Sequence, residues 1–399
     1  MLANFQILLV SAVVLSFAYG ALPGRGRWIE VRRGLILLAS AVIIYTFNPR
    51  TLAIAILVAL LAWGLYAIAR RHPRRGWIPW LVMAPVVINA IIEVALGKNW
   101  GDVLPFPNGS LTSPMMTNLA TLGLSFYSFK LYASIKEGMR IGALPFRELL
   151  TTTLFFPAFP IGPIDSSQRF NREALSRDPD LRRWFLGLTR IGIGGAKVFL
   201  ITTWITTTIP EHFGIPTLTY LDTHAFHSPQ GAALYTALTF LNLYLNFSGF
   251  TDIAVGAGML FNLRLSENFH YPLLSRSIQN FWQRWHLSLS AFITRYMFKP
   301  MLRRTGRPVI SLIVTFTLIG MWHEVSLGYL FWGFAHGTAL GITLWWRTRR
   351  AGRPSLLPKP IEYVGGIVVT LAFVSFLSAI ANLSSFARTL DYLGAFIGH

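Results

Sequence analysis

Three histidines stand where an imidazole could do acid–base work: His286 in FWQRWHLS, His323 in GMWHEVS and His336 in GFAHGT. His323 and His336 border or lie within apolar stretches, where an ionisable side chain is a functional candidate by default. The competing reading is a histidine hydrogen-bonded to a neighbouring helix as structural glue. His323 is favoured by its setting, because it follows the apolar run Val309 to Met321 in a segment free of lysine and can reach a cavity that opens outward. His286, 37 positions earlier, falls on the opposite, inner side. An imidazole, with its ordinary pKa of about 6.5, can take the proton of a hydroxyl as that hydroxyl attacks a carbonyl. A base near one face and a polar partner near the other is what a reaction across a membrane requires.

Other chemistries are poorly provided for. The chain has no cysteine, which removes disulfides, thiolate nucleophiles and Cys-containing zinc sites. No GxSxG elbow is present, and the nearest string, Phe247 to Phe250, lacks the flanking glycine. Direct transfer to an acceptor hydroxyl, without a covalent enzyme intermediate, is therefore the economical reading. His212, His224 and His227 form the only other histidine cluster, and their spacing matches no standard zinc pattern, so no metal site is expected.

The elements that must position these groups are membrane helices. Hydrophobic residues make up 53% of the 399 residues and charged ones only 13%, against roughly 25% charged in soluble domains. Phe5 to Ala21, Thr51 to Ala69, Trp80 to Leu96, Trp184 to Ile209 and Gly365 to Ile380 approach or exceed the length of a spanning helix. Lipid cannot satisfy exposed backbone groups, so such segments must be helical. The opening run lacks a basic region before it and reads as a retained first span.

The net charge of +19 follows the loops. Basic residues gather in 25–33, 70–75, 136–147, 169–190, 264–307 and 347–359, whereas 97–114, 210–230 and 324–328 are nearly free of them. By the positive-inside rule the first set is cytoplasmic and the second faces outward, giving about ten or eleven crossings with an outer N-terminus. The charge is thus explained without nucleic acid.

Two stretches interrupt the spans. Phe155 to Pro163, FFPAFPIGP, has three prolines that forbid a regular helix. The second runs from Leu263 to Pro308, too long and too aromatic for a plain loop. Within it, Trp282, Trp285 and Leu289 have helical spacing, which predicts an amphipathic helix over Ile278 to Tyr296 at the inner interface or re-entering the membrane. Non-helical backbone at membrane depth survives inside protein or beside a water-filled cavity, so both breaks suggest a cavity on the cytoplasmic side.

The runs NFSGFTDIAVG (Asn246 to Gly256), SENFHYPLLSRSIQNFWQRWHLSLS (Ser266 to Ser290), GMWHE (Gly320 to Glu324) and FWGFAHG (Phe331 to Gly337) resemble the membrane-bound O-acyltransferase family. The similar branch is the bacterial one containing alginate O-acetyltransferases and the D-alanyl transferase of teichoic acids. SFYSFKLY (Ser125 to Tyr132) and FFPAFPIGPI (Phe155 to Ile164) resemble blocks of the same branch.

The resemblance implies an all-α polytopic membrane fold, with spanning and re-entrant or interfacial helices around a central tunnel. It implies one integral membrane domain: N-terminal helices over 1–116, a catalytic core over 117–346, and a C-terminal helix and tail over 347–399. The activity implied is transfer of an acyl group from a cytoplasmic thioester, acyl-CoA or an acyl carrier's phosphopantetheine arm, to a hydroxyl of an extracytoplasmic glycan. No bound cofactor is expected. A secreted or periplasmic acyltransferase is a candidate partner, and the bacterial inner membrane the expected location.

His323 would match the essential histidine and His286 the second conserved polar position. Trp282, Arg284 and Trp285 would shape the donor side, with Arg284 a candidate for the phosphate of the donor arm. Asn280, Glu324 and His336 are further substrate-binding candidates, and Asp252 reads as a structural hydrogen-bond partner. The chain departs from the branch at Glu324, where glycine is usual. A carboxylate there could raise the histidine's pKa or bind a cationic group. Thr294 and Arg295 replace an arginine–aspartate pair, and Asn246 stands where aspartate is common. The competing class is a transporter or flippase, which would show matching broken helices in two halves. The polar groups here lie instead in one asymmetric block.

Overall fold

The apolar runs fold as helices in the computed structural model, which describes residues 2–88, 91, 114–174, 180–223, 226, 228–350, 358–383 and 385–397. No strand occurs among these described residues. Three of their helices are long and apolar enough to cross a membrane: Pro49–Arg71, Leu181–His212 and Lys359–Asn382. Leu9–Gly20, Ile78–Ile88 and Pro308–His323 are shorter apolar helices. All but the last residue of the outward loop expected over 97–114, most of the second half of the run Trp80 to Leu96, parts of the basic groups 169–190 and 347–359, and His224 and His227 lie outside the described residues.

The chain divides into two compact units. The first comprises Met1–Gly195 and Gly249–Glu267. Its helices are α1 (Leu2–Gly20), α2 (Trp28–Phe47), α3 (Pro49–Arg71), α4 (Pro114–Ile141), α5 (Phe146–Leu154), α6 (Ser167–Ala174) and α7 (Leu181–Gly195). α2 and α3 are separated at Asn48, whose side-chain oxygen accepts the amides of Arg50 and Thr51 at 3.0 and 3.3 Å, just where Pro49 begins the new helix.

The proline-rich break behaves as its sequence predicts. α5 stops at Leu154, and only one short 3₁₀ turn, Phe156–Ala158, follows before Asp165. Its backbone is buried, so its polar groups need partners. Ser40 Oγ accepts from the Phe156 amide at 3.2 Å, and buried Lys130 donates from Nζ to the Ala158 carbonyl at 2.6 Å. Asp165, buried beside them, accepts from the Ser266 amide at 2.9 Å and pairs with Arg169 at 3.2 Å.

α7 packs on residues 249–260 of the helix Pro229–Leu260 (α9) through glycines in matching sevens. A Cβ at Gly187 would stand 2.7 Å from the Gly256 carbonyl oxygen, and one at Gly194 2.5 Å from that of Gly249. Between them Arg190 reaches Asp252 at 3.0 Å and also pairs with Glu267, so Asp252 is indeed an ion-pair partner on a helix face.

The second unit comprises Ala196–Ser248 and Asn268–His399. It holds α8 (Leu218–Thr223), residues 229–248 of α9 (Pro229–Leu260), α10 (Ile278–Trp282), α11 (Leu287–Ile293), α12 (Lys299–Thr305), α13 (Pro308–His323), α14 (Leu327–Arg350), α15 (Lys359–Asn382) and α16 (Phe386–Ile397). α13 and α14 form a hairpin whose backbones touch along Gly320, Gly333 and Gly337. A Cβ would fall 2.1 Å from the Tyr329 oxygen at Gly320, 2.3 Å from the Phe316 oxygen at Gly333, and 2.6 Å from the Ile313 Cα at Gly337. Small residues four apart allow this approach.

One expectation is corrected. The amphipathic helix over Ile278 to Tyr296 is broken: α10 ends at Trp282, α11 begins at Leu287, and His286 between them has φ 45°. Trp282 and Trp285 are 7% exposed and Leu289 is 0%, so their stripe faces protein on its buried side rather than an interface. A helix stops here because the Leu287 and Ser288 amides are taken by Asn268, through its backbone and side-chain oxygens at 3.0 and 3.3 Å.

Candidate functional site

The glycine contacts of the α13–α14 hairpin fix where its histidines stand. His323 is the last residue of α13, and more than a third of its surface is open. Its ring packs against Trp322 at 4.5 Å, lies nearly parallel to Tyr329 at 5.6 Å and meets Trp332 edge-on at 5.6 Å. One turn after Trp332 on α14 is His336, fully buried, its ring 4.5 Å from Trp332.

Trp282, on α10, donates from its indole Nε1 to His336 Nδ1 at 3.2 Å. An indole only donates, so Nδ1 is the acceptor and the hydrogen of the neutral His336 ring sits on Nε2. The buried Nε2 has no hydrogen-bond partner among the described residues.

From Trp282 the rings continue. Phe281 stacks on Trp285 at 5.3 Å, Trp285 meets Phe247 at 6.4 Å, and Phe247 meets His286 edge-on at 4.6 Å. His286 is 3% exposed, and its Nδ1 is 3.3 Å from Asn268 Oδ1. Through Trp332, which meets Trp282 at 5.9 Å, His323 joins the same run of rings that ends at His286.

The cluster has one open imidazole and two buried ones. An open imidazole backed by aromatic walls can meet a hydroxyl, while the buried pair can orient groups without exchanging with water. Among the described residues no group of three His, Asp or Glu side chains is placed to hold a metal.

The remaining candidates fall elsewhere. Arg284 is half-buried, and its guanidinium reaches the carbonyls of His270 and Tyr271 at 3.4 Å, bracing the turn before α10. Asn280 donates its amide to Ser277 Oγ at 3.1 Å and accepts from the Arg276 amide at 3.4 Å, both within the start of α10. Glu324 is exposed and caps the end of α13, next in the chain to His323.

Among the described residues Glu324 makes no ion pair, and it occupies the negative end of the helix dipole. Glu324→Gln is accordingly expected to raise stability by a few tenths of a kcal/mol. A small upward shift of the thermal unfolding midpoint would register it.

Sequence reading missed Asn268, Ser288, Tyr329 and Trp332. Trp332 was open to discovery, since it precedes His336 by four positions and so shares its helix face. Asn268 had no such signal, because it lies 18 residues before its partner in a segment without helical period.

Residues 110–385 match the family model described as the membrane-bound O-acyltransferase family. A probable alginate O-acetylase of Pseudomonas syringae pv. tomato is 29% identical over 333 residues, covering 78% of this chain and 61% of that protein. The teichoic acid D-alanyltransferase of Bacillus subtilis is 29% identical over 314 residues, 74% of this chain and 76% of that protein. A peptidoglycan O-acetyltransferase of Helicobacter pylori is 38% identical over 114 residues, 28% of this chain and 22% of that protein. The chain spans less than two thirds of the length of the alginate relative.

Proposed function

Because this chain belongs to the membrane-bound O-acyltransferase family, we propose that it moves an acyl group, acetyl in the first reading, from a cytoplasmic thioester to a hydroxyl of an extracytoplasmic polysaccharide or cell-envelope glycan. The observation that carries this reading is His323, an accessible imidazole at the end of α13, walled by Tyr329 and Trp332.

In the proposed reaction the acceptor hydroxyl attacks the thioester carbonyl while His323 takes its proton. The carbon–sulfur bond then breaks, and the departing thiolate takes a proton back from the imidazolium. Trp282, Trp285 and His336 wall the site, and Arg284 holds the phosphate of acyl-CoA or of a carrier's phosphopantetheine arm. The setting is the plasma membrane of a bacterium, crossed about ten or eleven times around a tunnel. A secreted or periplasmic acyltransferase would take part with the glycan acceptor.

A second reading is aminoacyl transfer from a carrier protein to a teichoic-acid-like polymer. Two observations favour it: the Glu324 carboxylate beside His323, suited to an ammonium group, and a match that covers 76% of the B. subtilis D-alanyltransferase.

Purified protein in lipid nanodiscs, given polysaccharide and either labelled acetyl-CoA or a carrier charged with labelled D-alanine, separates the two. Label transferred from acetyl-CoA as an alkali-labile ester is the expected result. Label only from the charged carrier would favour the second reading. Label from neither donor, against several hydroxylated acceptors, would sink both.

A further inference from the structure

Asn268 holds the turn at His286 at several points. Asn268, itself fully buried, accepts the Leu287 amide with its backbone oxygen at 3.0 Å. Its side-chain Oδ1 accepts the Ser288 hydroxyl at 2.6 Å and the Ser288 amide at 3.3 Å. A backbone amide can only donate, so the oxygen of the Asn268 side chain, not its NH₂, must face this turn. The same oxygen stands 3.3 Å from His286 Nδ1.

An amide oxygen accepts and never donates. Nδ1 of His286 must therefore carry the ring hydrogen, and the lone pair of the neutral ring falls on Nε2. The left-handed backbone at His286, φ 45° and ψ 55°, is rare for a residue with a side chain, and Asn268 holds the two residues that follow it. His336 is held in the opposite tautomer by Trp282, which leaves hydrogen on its Nε2.

We infer that Asn268 is a positioning residue that locks His286 as the Nδ1–H tautomer, so that His286 presents Nε2 as a hydrogen-bond acceptor to the reacting groups. Resting on the acyl-transfer reading, this gives His286 a defined part. It accepts a hydrogen bond from the His323 ring and so orients that base toward the hydroxyl. It does not donate a hydrogen bond to the oxyanion formed from the thioester carbonyl. His336, also buried, has an N–H to give through Nε2.

The test is magic-angle-spinning NMR of ¹⁵N-histidine-labelled full chain in lipid, with His286→Gln identifying the resonances of His286. In the wild type, the expected spectrum has His286 protonated at Nδ1 and bare at Nε2. Asn268→Asp keeps an acceptor and is expected to keep Nδ1 protonated, with kcat within tenfold of wild type. Asn268→Leu is expected to mix the tautomers and lower kcat by roughly 10–100-fold, as loss of an orienting partner does. Ser288→Ala, which leaves the Asn268–His286 contact, should not change the tautomer.

A wild-type His286 protonated at Nε2, or an unchanged tautomer in Asn268→Leu, would overturn the inference. If Asn268→Leu does not fold, the wild-type spectrum alone decides. If the tautomer is as expected but no donor yields transfer, the positioning stands and the acyl-transfer reading fails.

Discussion

Replacing His323 with alanine is expected to lower kcat for acyl transfer by roughly 10²–10⁴-fold, the range lost when a general base is removed. The protein should stay folded. His323 ends α13, and over a third of its surface is open, so its loss leaves no closed cavity and no broken backbone contact. Donor binding should also change little, because the loss falls on proton transfer in the transition state. The check is initial-rate kinetics beside thermal unfolding in detergent: a collapsed kcat with an unmoved midpoint. His286→Gln offers a contrast. It deletes a buried ring that packs on Phe247 at 4.6 Å, so it should lower both activity and stability.

The largest effect on the fold is expected from Gly337→Leu. A Cβ there would stand 2.6 Å from the Cα of Ile313 and 2.9 Å from the Leu312 oxygen. Those are backbone atoms and cannot rotate away, so α13 and α14 must separate. The cost is expected to reach about 3 kcal/mol or more, the upper end for overpacking. His323 rides on one helix and Trp332 and His336 on the other, so activity should fall with stability. Size-exclusion chromatography after solubilisation, with unfolding midpoints, measures it.

Two controls grade the argument. At Gly341 a Cβ would meet Val309 Cγ1 at 2.7 Å, a side chain that can turn, so Gly341→Ala should cost less. At Gly64 nothing lies within 4 Å, and Gly64→Ala should be neutral or stabilising. Equal losses at all three positions would contradict the close-approach account.

Hydropathy made the membrane class legible, because a helix that must satisfy its own backbone in lipid announces itself by an apolar run of spanning length. The break at Phe155 to Pro163 was legible for an equally local reason, its three prolines. The histidines at 286, 323 and 336 stood out by their settings, and the motif blocks that resemble the acyltransferase family fall inside the matched region 110–385.

Partnership across distance was hidden. The period of Trp282, Trp285 and Leu289 predicts an unbroken helix, and nothing local warns that Asn268 captures the amides that a helix would need. The π-helical segments Ala196–Ile201 and Trp204–Thr208 were invisible for a similar reason. There Thr202 Oγ1 bonds the Lys197 carbonyl five residues back at 2.9 Å, a spacing that no hydropathy pattern encodes. The glycines at 333, 337 and 341 were in plain view, but only the Cβ distances reveal that backbone lies against them. The loop-charge count of about ten or eleven crossings goes beyond the three long apolar helices and three shorter ones among the described residues.

The central claim is that a thioester on one side of the membrane acylates a hydroxyl on the other with His323 as base. Its most direct test is a sided assay. Protein is reconstituted in sealed liposomes, the orientation of the inserted chains is determined, and the labelled thioester and the hydroxylated glycan are placed in separate compartments. The account predicts ester-linked label on the glycan only when the donor faces the basic loops, and at most a trace of it with His323→Ala. Equal labelling by wild type and His323→Ala, or labelling only when donor and acceptor share a compartment, would contradict it.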